Sequence, residues 1–234
     1  VEEGRNVFFN IKKTISFFLS TNFAEVLSVF VVTLFLWRYD FLTSTQLLWV
    51  NLITDSLPVL ALGMEKTSGA MERPPVSDRE IFSPRAICSM LFFGVMLSAV
   101  VIAQFCILLR VYGNGVATTA AFLTLSLSEL LHVFNVRAEG GKKKLRDYFS
   151  NRALLVTVAV GVVLNVMLVL SPALCTAFRL TPLTGVQWLW VALCSVFVLP
   201  LGAVYRMLMR RVSRVRLRRL SRRRTYIPAR GSSR

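Results

Sequence analysis

The sequence predicts an all-α integral membrane protein, a bundle of six transmembrane helices joined by short loops, with both termini in the cytoplasm. Hydrophobic residues make up 55% of the chain and the mean hydropathy is +0.60, whereas soluble domains have an apolar share of roughly 45–50%. Six apolar stretches approach the roughly 20 helical residues that cross a bilayer core about 30 Å thick. The charged residues, 17% of the chain, crowd between these stretches.

The predicted spans are separated by short segments rich in turn-forming and charged residues. They are Ile15–Trp37, Gln46–Met64, Ala86–Leu109, Val116–Val136, Ala153–Leu170 and Val186–Met207. Because no internal repeat or long linker divides them, we expect one six-helix transmembrane domain over residues 15–207. A cytoplasmic segment precedes it over residues 1–14, and a basic cytoplasmic tail follows over residues 208–234.

Lysine and arginine alternate sharply between the two sides of the predicted membrane. They concentrate in residues 5–13, 66–85 and 137–152 and in the tail, which places these segments in the cytoplasm. The opposite loops hold one arginine each, namely Arg38, Arg110 and Arg179. The pattern predicts a multi-pass protein but does not distinguish the plasma membrane from an internal one.

The basic excess also bears on partners. A net charge of +16 and a pI near 10.8 would suggest nucleic acid for a soluble protein, but here the charge lies beside the membrane. We therefore expect the lipid bilayer as a partner, with anionic lipids at the basic tail, and no nucleic acid. The chain begins at Val1 without a signal peptide, so we expect an amino-terminal part of the protein to be missing.

Three acidic residues interrupt the apolar spans. Glu25, Asp55 and Glu129 each lie about half-way along a predicted span. A carboxylate near the bilayer midplane costs about 2.5–3.5 kcal/mol even on lenient insertion scales, so such residues are candidates for a functional site. With no lysine or arginine near them in these spans, the three acids predict a bound cation.

Further oxygen donors accompany these acids at helical spacing. Asn22 precedes Glu25 by three residues, and Asn51, Thr54 and Asp55 occupy positions i, i+3 and i+4, so each set is expected on one helical face. Hard oxygen ligands of this kind suit Ca²⁺, which takes six to eight of them. Alternatively, the amides and hydroxyls only join helices to one another.

Pro58 adds a backbone oxygen to this set. It lacks an N–H, so the carbonyl of residue 54 loses its usual helical partner and becomes a potential ligand. In the alternative interpretation the proline merely kinks the second span.

Three sequence blocks resemble the membrane region of P-type cation pumps. "EEGRNVFFNIKKTISFFLSTNFAEVL" from Glu2 to Leu27 is similar to the stalk and fifth helix. "NLITDSLPVLALGMEKTSGAMERPP" from Asn51 to Pro75 is similar to the sixth helix and following loop, and "LSLSELLHVFNVRAE" from Leu125 to Glu139 to the eighth. The last two spans match in hydropathy and position only. The chain thus resembles the fifth to tenth helices of a calcium-type, reticulum-like P-type ATPase.

This resemblance implies a metal site and a transported ion. The implied metal ligands are Asn22, Glu25, Asn51, Thr54, Asp55 and Glu129. Asn51 and Asp55 would also belong to a second site, which needs a glutamate from a fourth helix that this chain does not contain. The implied ion is Ca²⁺, although the sequence does not separate it from Mn²⁺ or Na⁺. Ser56 stands where related pumps often have glycine.

The same resemblance implies a function and its limits. The chain would be the ion-binding and translocating membrane half of an ATP-driven pump. ATP and Mg²⁺ would act only through cytoplasmic domains that it lacks, because it contains no DKTGT motif and no glycine-rich phosphate loop. No catalytic or cofactor-binding residue is predicted, and the chain alone should not hydrolyse ATP. The alternative is a non-catalytic six-span remnant, a channel-like protein or a regulatory membrane subunit.

Overall fold

The computed structural model describes residues 2–65, 83–138 and 151–224. Within these ranges the regular secondary structure is helical, and six helical segments are long and apolar enough to cross a membrane. The predicted all-α, multi-pass membrane fold is therefore confirmed. The proline-containing loop at residues 71–75, most of the basic segment at 137–152, and tail residues 225–234 lie outside the described residues.

The helices follow one another in the order expected from the six apolar stretches. Their bounds are α1 Glu2–Phe35, α2 Ser44–Trp49, α3 Ser56–Gly63, α4 Pro84–Tyr112, α5 Asn114–Ala138, α6 Arg152–Leu170, α7 Pro172–Ala177 and α8 Gly185–Arg224. The candidate spans are Asn6–Phe35, Ser44–Gly63, Ala86–Tyr112, Asn114–Ala138, Arg152–Leu170 and Gly185–Met209.

The first helix is continuous across the predicted boundary between stalk and membrane. With 34 residues, α1 is about 50 Å long, which exceeds the roughly 30 Å of a bilayer core. Its length accommodates both a span and an extension beyond the membrane. The helix ends at Phe35, two residues before the predicted end at Trp37.

The second span is not the single regular helix that the sequence predicts. A π-helical turn over Val50–Thr54 separates α2 from α3, and the Asp55 N–H donates to the Val50 carbonyl oxygen at 2.9 Å. This bond reaches back five residues, whereas an α-helical bond reaches back four. The local widening therefore changes the directions of the polar side chains in this span.

The connection between α4 and α5 is a single residue. Gly113 alone separates the two helices, with a φ of +85°. Glycine adopts this left-handed backbone region without a steric penalty, so one residue suffices to end α4.

Helix α5 occupies the centre of the packing. Most side chains of α5 are buried, α1 packs along α4, and α4 packs along α5. A close approach of α1 and α4 occurs at Gly94, where an added Cβ would lie 2.5 Å from Phe23 Cδ1 and 3.0 Å from the Ser20 carbonyl oxygen. Small residues at helix contacts are typical of membrane bundles, in which lipid faces the large apolar side chains.

The chain divides into two compact units, Val1–Leu199 and Pro200–Arg234. The first unit contains the carboxylates that the sequence singles out. In the second unit the backbone stays helical as far as Arg224, so helix continues into the predicted tail.

Candidate cation site

Three carboxylates converge inside the first unit. Glu25 comes from α1, Asp55 from the junction between the π-helical turn and α3, and Glu129 from the middle of α5. One oxygen from each lies within 4.8 Å of the others. The side chains are 5%, 0% and 0% exposed, respectively. The three acids that the sequence singles out therefore lie together in the structure.

Most oxygens of this cluster have no hydrogen-bond donor among the described residues. Asn51 Nδ2 donates to Glu25 Oε2 at 2.7 Å, and Thr21 Oγ1 donates to Asp55 Oδ2 at 2.8 Å. Glu25 Oε1, Asp55 Oδ1 and both oxygens of Glu129 accept no bond from the described chain. Buried carboxylate oxygens without donors are costly, and a hard cation would satisfy several of them at once.

No basic side chain neutralises the cluster in the described ranges. Both ion pairs found there belong instead to Glu65, which lies just beyond α3. Three acids this close repel one another unless a cation or protons intervene. The donor set is made only of oxygens, which excludes the soft ligand chemistry typical of thiolate zinc or copper sites.

The π-helical turn orients the amides and hydroxyls of the second span. Asn51 Nδ2 also donates to the Leu47 carbonyl oxygen at 3.0 Å, and the Ser56 hydroxyl donates to the Asn51 carbonyl oxygen at 3.4 Å. The expectation that Asn51, Thr54 and Asp55 share one helical face was based on regular α-helical spacing. Asn51 and Asp55 bond to Glu25 and Thr21 on α1, whereas Thr54 bonds to Ser126 on α5.

Asn22 has a different environment from the other predicted ligands. Its Nδ2 donates to the Phe18 carbonyl oxygen of the same helix at 2.7 Å. The adjacent Thr21, which the sequence reasoning did not select, is the α1 residue that bonds to Asp55. The sequence signal for Thr21 is weak, since a threonine in an apolar run commonly bonds to its own helix.

Thr54, a predicted ligand, also belongs to a second buried polar group. Its other members, Ser126 and Asn165, were not selected from the sequence. Thr54 Oγ1 lies 2.8 Å from Ser126 Oγ on α5, and Ser126 Oγ donates to Asn165 Oδ1 on α6 at 2.8 Å. Two signals were available: Ser126 precedes Glu129 by one helical turn, and Asn165 is the one amide within the apolar run of α6.

A cavity of about 570 Å³ lies beside Glu25, between α1 and the first part of the second span. Glu25 and Asn51 line it together with apolar residues that include Val29, Phe30 and Leu34. The walls are more apolar than polar, so the cavity suits an apolar segment that brings a few polar groups to Glu25.

His132 and Asn135 on α5 contact neighbouring helices. The His132 ring stacks on Phe17 with centroids 6.0 Å apart, and Ser20 Oγ lies 3.0 Å from its Nε2. Asn135 Nδ2 donates to the Val198 carbonyl oxygen at 3.0 Å. Each of these groups joins α5 to a neighbouring helix.

The ends of three elements meet at Glu65. Lys13 Nζ lies 2.8 Å from Glu65 Oε2, and Arg137 Nε lies 2.7 Å from Glu65 Oε1. Asn10 Nδ2 donates to the Gly63 and Glu65 carbonyl oxygens at 3.1 and 2.6 Å. These contacts bring α1, the end of α3 and the end of α5 together on the side of the bundle that the charge pattern assigns to the cytoplasm.

Comparison with known proteins identifies the family. The family model described as "Cation transporting ATPase, C-terminus" matches residues 40–208, which is most of the chain. The chain belongs to this C-terminal family of cation-transporting ATPases. The predicted resemblance to the carboxy-terminal transmembrane region of a cation pump is thereby confirmed, including the last two spans.

Similar curated proteins agree with this family. A protein named calcium-transporting ATPase 1 from Bacillus cereus (strain ATCC 10987) is 31% identical over 225 residues, which cover 88% of this chain and 25% of the relative. A calcium-transporting ATPase from Bacillus subtilis is 32% identical over 195 residues, 82% of this chain and 22% of the relative. A calcium-transporting ATPase from Listeria monocytogenes is 34% identical over 173 residues, which cover 73% of this chain and 19% of the relative. The chain thus spans about a quarter or less of the length of these cation pumps.

Proposed function

We propose that the chain is the ion-binding membrane half of an ATP-driven pump and that Ca²⁺ is the ion it binds. The observation that supports this most directly is the buried cluster of Glu25, Asp55 and Glu129, whose oxygens lie within 4.8 Å of one another. Four carboxylate oxygens of this cluster accept no hydrogen bond from the described residues. In a membrane interior such groups call for a cation as substrate.

Ca²⁺ fits this donor set better than Mg²⁺ does. It prefers six to eight oxygen ligands at 2.3–2.6 Å in a flexible arrangement, whereas Mg²⁺ requires a near-ideal octahedron. The carboxylates would be joined by the side-chain oxygens of Asn51 and Thr54. Asn22 would contribute its Oδ1, which takes no part in the bond to Phe18. The names of the relatives, which are calcium-transporting ATPases, point to the same ion.

The cavity beside Glu25 favours an additional partner segment. Its mixed lining is suited to an apolar helix that brings further oxygen ligands to Glu25 and Asn51. We assign this place to the amino-terminal part of the pump, which would also bind ATP and Mg²⁺. The chain by itself would bind the ion but would not hydrolyse ATP.

The bilayer is the remaining partner. We assign residues 1–14 to the stalk, residues 15–207 to the transport domain and residues 208–234 to a basic tail that contacts anionic lipids. The ion pairs of Glu65 with Lys13 and Arg137 favour a common cytoplasmic side for the start of α1 and the ends of α3 and α5.

The test is equilibrium Ca²⁺ binding to the purified chain in lipid nanodiscs. Wild type should bind Ca²⁺ saturably, and Asp55→Asn should abolish that binding because it removes a fully buried carboxylate of the cluster. Glu25→Gln and Glu129→Gln should weaken it. The matched control is Asp40→Asn, which removes an exposed carboxylate in the loop after α1 and should leave the affinity unchanged.

Other outcomes would point to other functions. If wild type bound no Ca²⁺, or if Asp55→Asn bound it normally, the proposed site would be wrong. Passive, voltage-driven Ca²⁺ flux through vesicles containing the chain would favour the channel-like alternative over the pump.

A further inference from the structure

A series of hydrogen bonds connects Asn165 on α6, through Ser126 on α5, to Thr54. Asn165, Ser126 and Thr54 are each fully buried, and the two contacts that join them measure 2.8 Å each. Thr54 immediately precedes Asp55, and Ser126 lies one helical turn before Glu129. These hydrogen bonds therefore link Asn165 to the residue that precedes Asp55 and to the helical turn that precedes Glu129.

The direction of each hydrogen bond in this series follows from the chemistry of its groups. Asn165 Nδ2 donates to the Gly161 carbonyl oxygen at 2.8 Å. The reversed amide would place two acceptor oxygens at that distance, so Oδ1 must face Ser126. An amide oxygen cannot donate, and the Ser126 hydroxyl therefore donates to Asn165 Oδ1.

This assignment fixes the role of the next hydroxyl. A serine hydroxyl has one proton, and that of Ser126 is already directed at Asn165. In the 2.8 Å contact with Ser126 the donor must then be Thr54. The Thr54 proton is held towards α5, and both lone pairs of its oxygen stay available on the remaining sides.

A cation binds a hydroxyl through a lone pair and is repelled by its proton. A hydroxyl free to rotate would have to be turned when the ion enters, whereas one already held as a donor presents its lone pairs beforehand. We propose that Ser126 and Asn165 are positioning residues of the cation site, because their hydrogen bonds hold the Thr54 hydroxyl with its oxygen available to the ion. This inference rests on the proposed function and extends it to two residues outside the predicted ligand set.

The experiment measures Ca²⁺ affinity of the full chain in lipid nanodiscs. Asn165→Leu keeps the number and branching of the side-chain heavy atoms but removes the acceptor for Ser126, and Ser126→Ala removes the hydroxyl between the two partners. Each should weaken Ca²⁺ binding about tenfold or more, as groups that orient metal ligands commonly do. Ser128→Ala is the matched control, because this buried α5 hydroxyl donates to the Leu125 carbonyl oxygen of its own helix.

A double-mutant cycle separates positioning from packing. If Asn165 acts through the Thr54 hydroxyl, Asn165→Leu should cause little further loss of Ca²⁺ affinity in a Thr54→Val background. Thr54→Ser, which keeps the hydroxyl, should respond to Asn165→Leu as wild type does. An equal fold-loss in the Thr54→Val background would overturn the proposal, since the amide would then act by another route.

Failure of the inference can be distinguished from failure of the proposed function. If Asp55→Asn abolishes Ca²⁺ binding while Asn165→Leu and Ser126→Ala bind normally, the positioning role is wrong and the cation site stands. If wild type binds no Ca²⁺, the proposed function fails and the positioning role fails with it. Melting temperatures in detergent, measured for every variant, identify a lost affinity that comes from unfolding; Ser126→Cys, which keeps a weak donor, then replaces Ser126→Ala.

Discussion

Asn51 donates a 2.7 Å hydrogen bond through Nδ2 to Glu25 Oε2, which joins the π-helical turn of the second span to α1. The same nitrogen donates to the Leu47 carbonyl oxygen at 3.0 Å, so both protons of the amide are used. The amide orientation is therefore fixed, and Oδ1 takes part in neither bond. Asn51 stabilises one carboxylate oxygen and presents an oxygen of its own.

Replacing this amide tests its contribution to the cation site. Asn51→Leu removes the donor to Glu25 and a candidate ligand, so we expect Ca²⁺ affinity to fall about tenfold or more in nanodiscs. Asn135→Leu is the control, because Asn135 donates to the Val198 carbonyl oxygen and should leave the affinity unchanged. Equal affinities of wild type and Asn51→Leu would show that the hydrogen bond has only a structural role.

The ion pairs at Glu65 predict a stability effect separate from ion binding. Glu65 is 8% exposed and lies between Arg137, 4% exposed, and Lys13, 16% exposed. Glu65→Gln removes the negative charge that both cations face, so the free energy of unfolding should fall by about 1.5–3 kcal/mol. Thermal unfolding in detergent measures this, with Lys12→Gln as a control on the neighbouring residue. An unchanged melting temperature would contradict a stabilising role for the pairs.

The same group predicts how stability changes with pH. Burial raises the pKa of Glu65, but hydrogen bonds and charges from Lys13 and Arg137 outweigh it, so the pKa lies below its ordinary value of 4.5. A lowered folded-state pKa stabilises the fold above pH 4.5, and this contribution is lost as the pH falls through the lowered value. Wild type should therefore lose more stability than Glu65→Gln in this acid range, as unfolding at stepwise lower pH would measure. Parallel losses in both proteins would argue against the effect.

The contact between α1 and α4 predicts a packing effect at one glycine. An added Cβ at Gly94 would lie 2.5 Å from Phe23 Cδ1 and 3.0 Å from a backbone oxygen, whereas at Gly63 it would meet nothing within 4 Å. Gly94→Ala should lower the free energy of unfolding by about 1–3 kcal/mol, and Gly63→Ala should not. Similar melting temperatures for the two variants would show that α1 and α4 can move apart at Gly94 with little loss of stability.

The basic tail predicts binding to anionic lipid. The segment from Met207 to Arg234 is rich in arginine, and each such charge near an anionic surface contributes about 1 kcal/mol. A peptide of this segment should bind vesicles more tightly as their anionic lipid content rises and less tightly as salt rises. Binding that responds to neither variable would eliminate an electrostatic anchor.

The sequence by itself determined the membrane fold and the acids of the candidate site. A span needs about 20 apolar residues because lipid offers no partner for backbone groups, so the six spans can be read from hydropathy. Glu25, Asp55 and Glu129 could be selected for the related reason that charge is expensive in such spans. Neither inference requires knowledge of how the helices are rotated.

Only the tertiary structure decided which oxygen faces which partner. Neighbouring positions on an α-helix differ by about 100° in direction, so the choice of Thr21 over Asn22 as the partner of Asp55 depends on how α1 packs against the second span. The π-helical turn after Trp49 shifts these directions again and sends Asn51, Thr54 and Asp55 to different neighbours. Ser126 and Asn165 are 39 residues apart and come together from two consecutive spans. Their hydrogen bond depends on the packing of α5 against α6, which spacing along the chain does not encode.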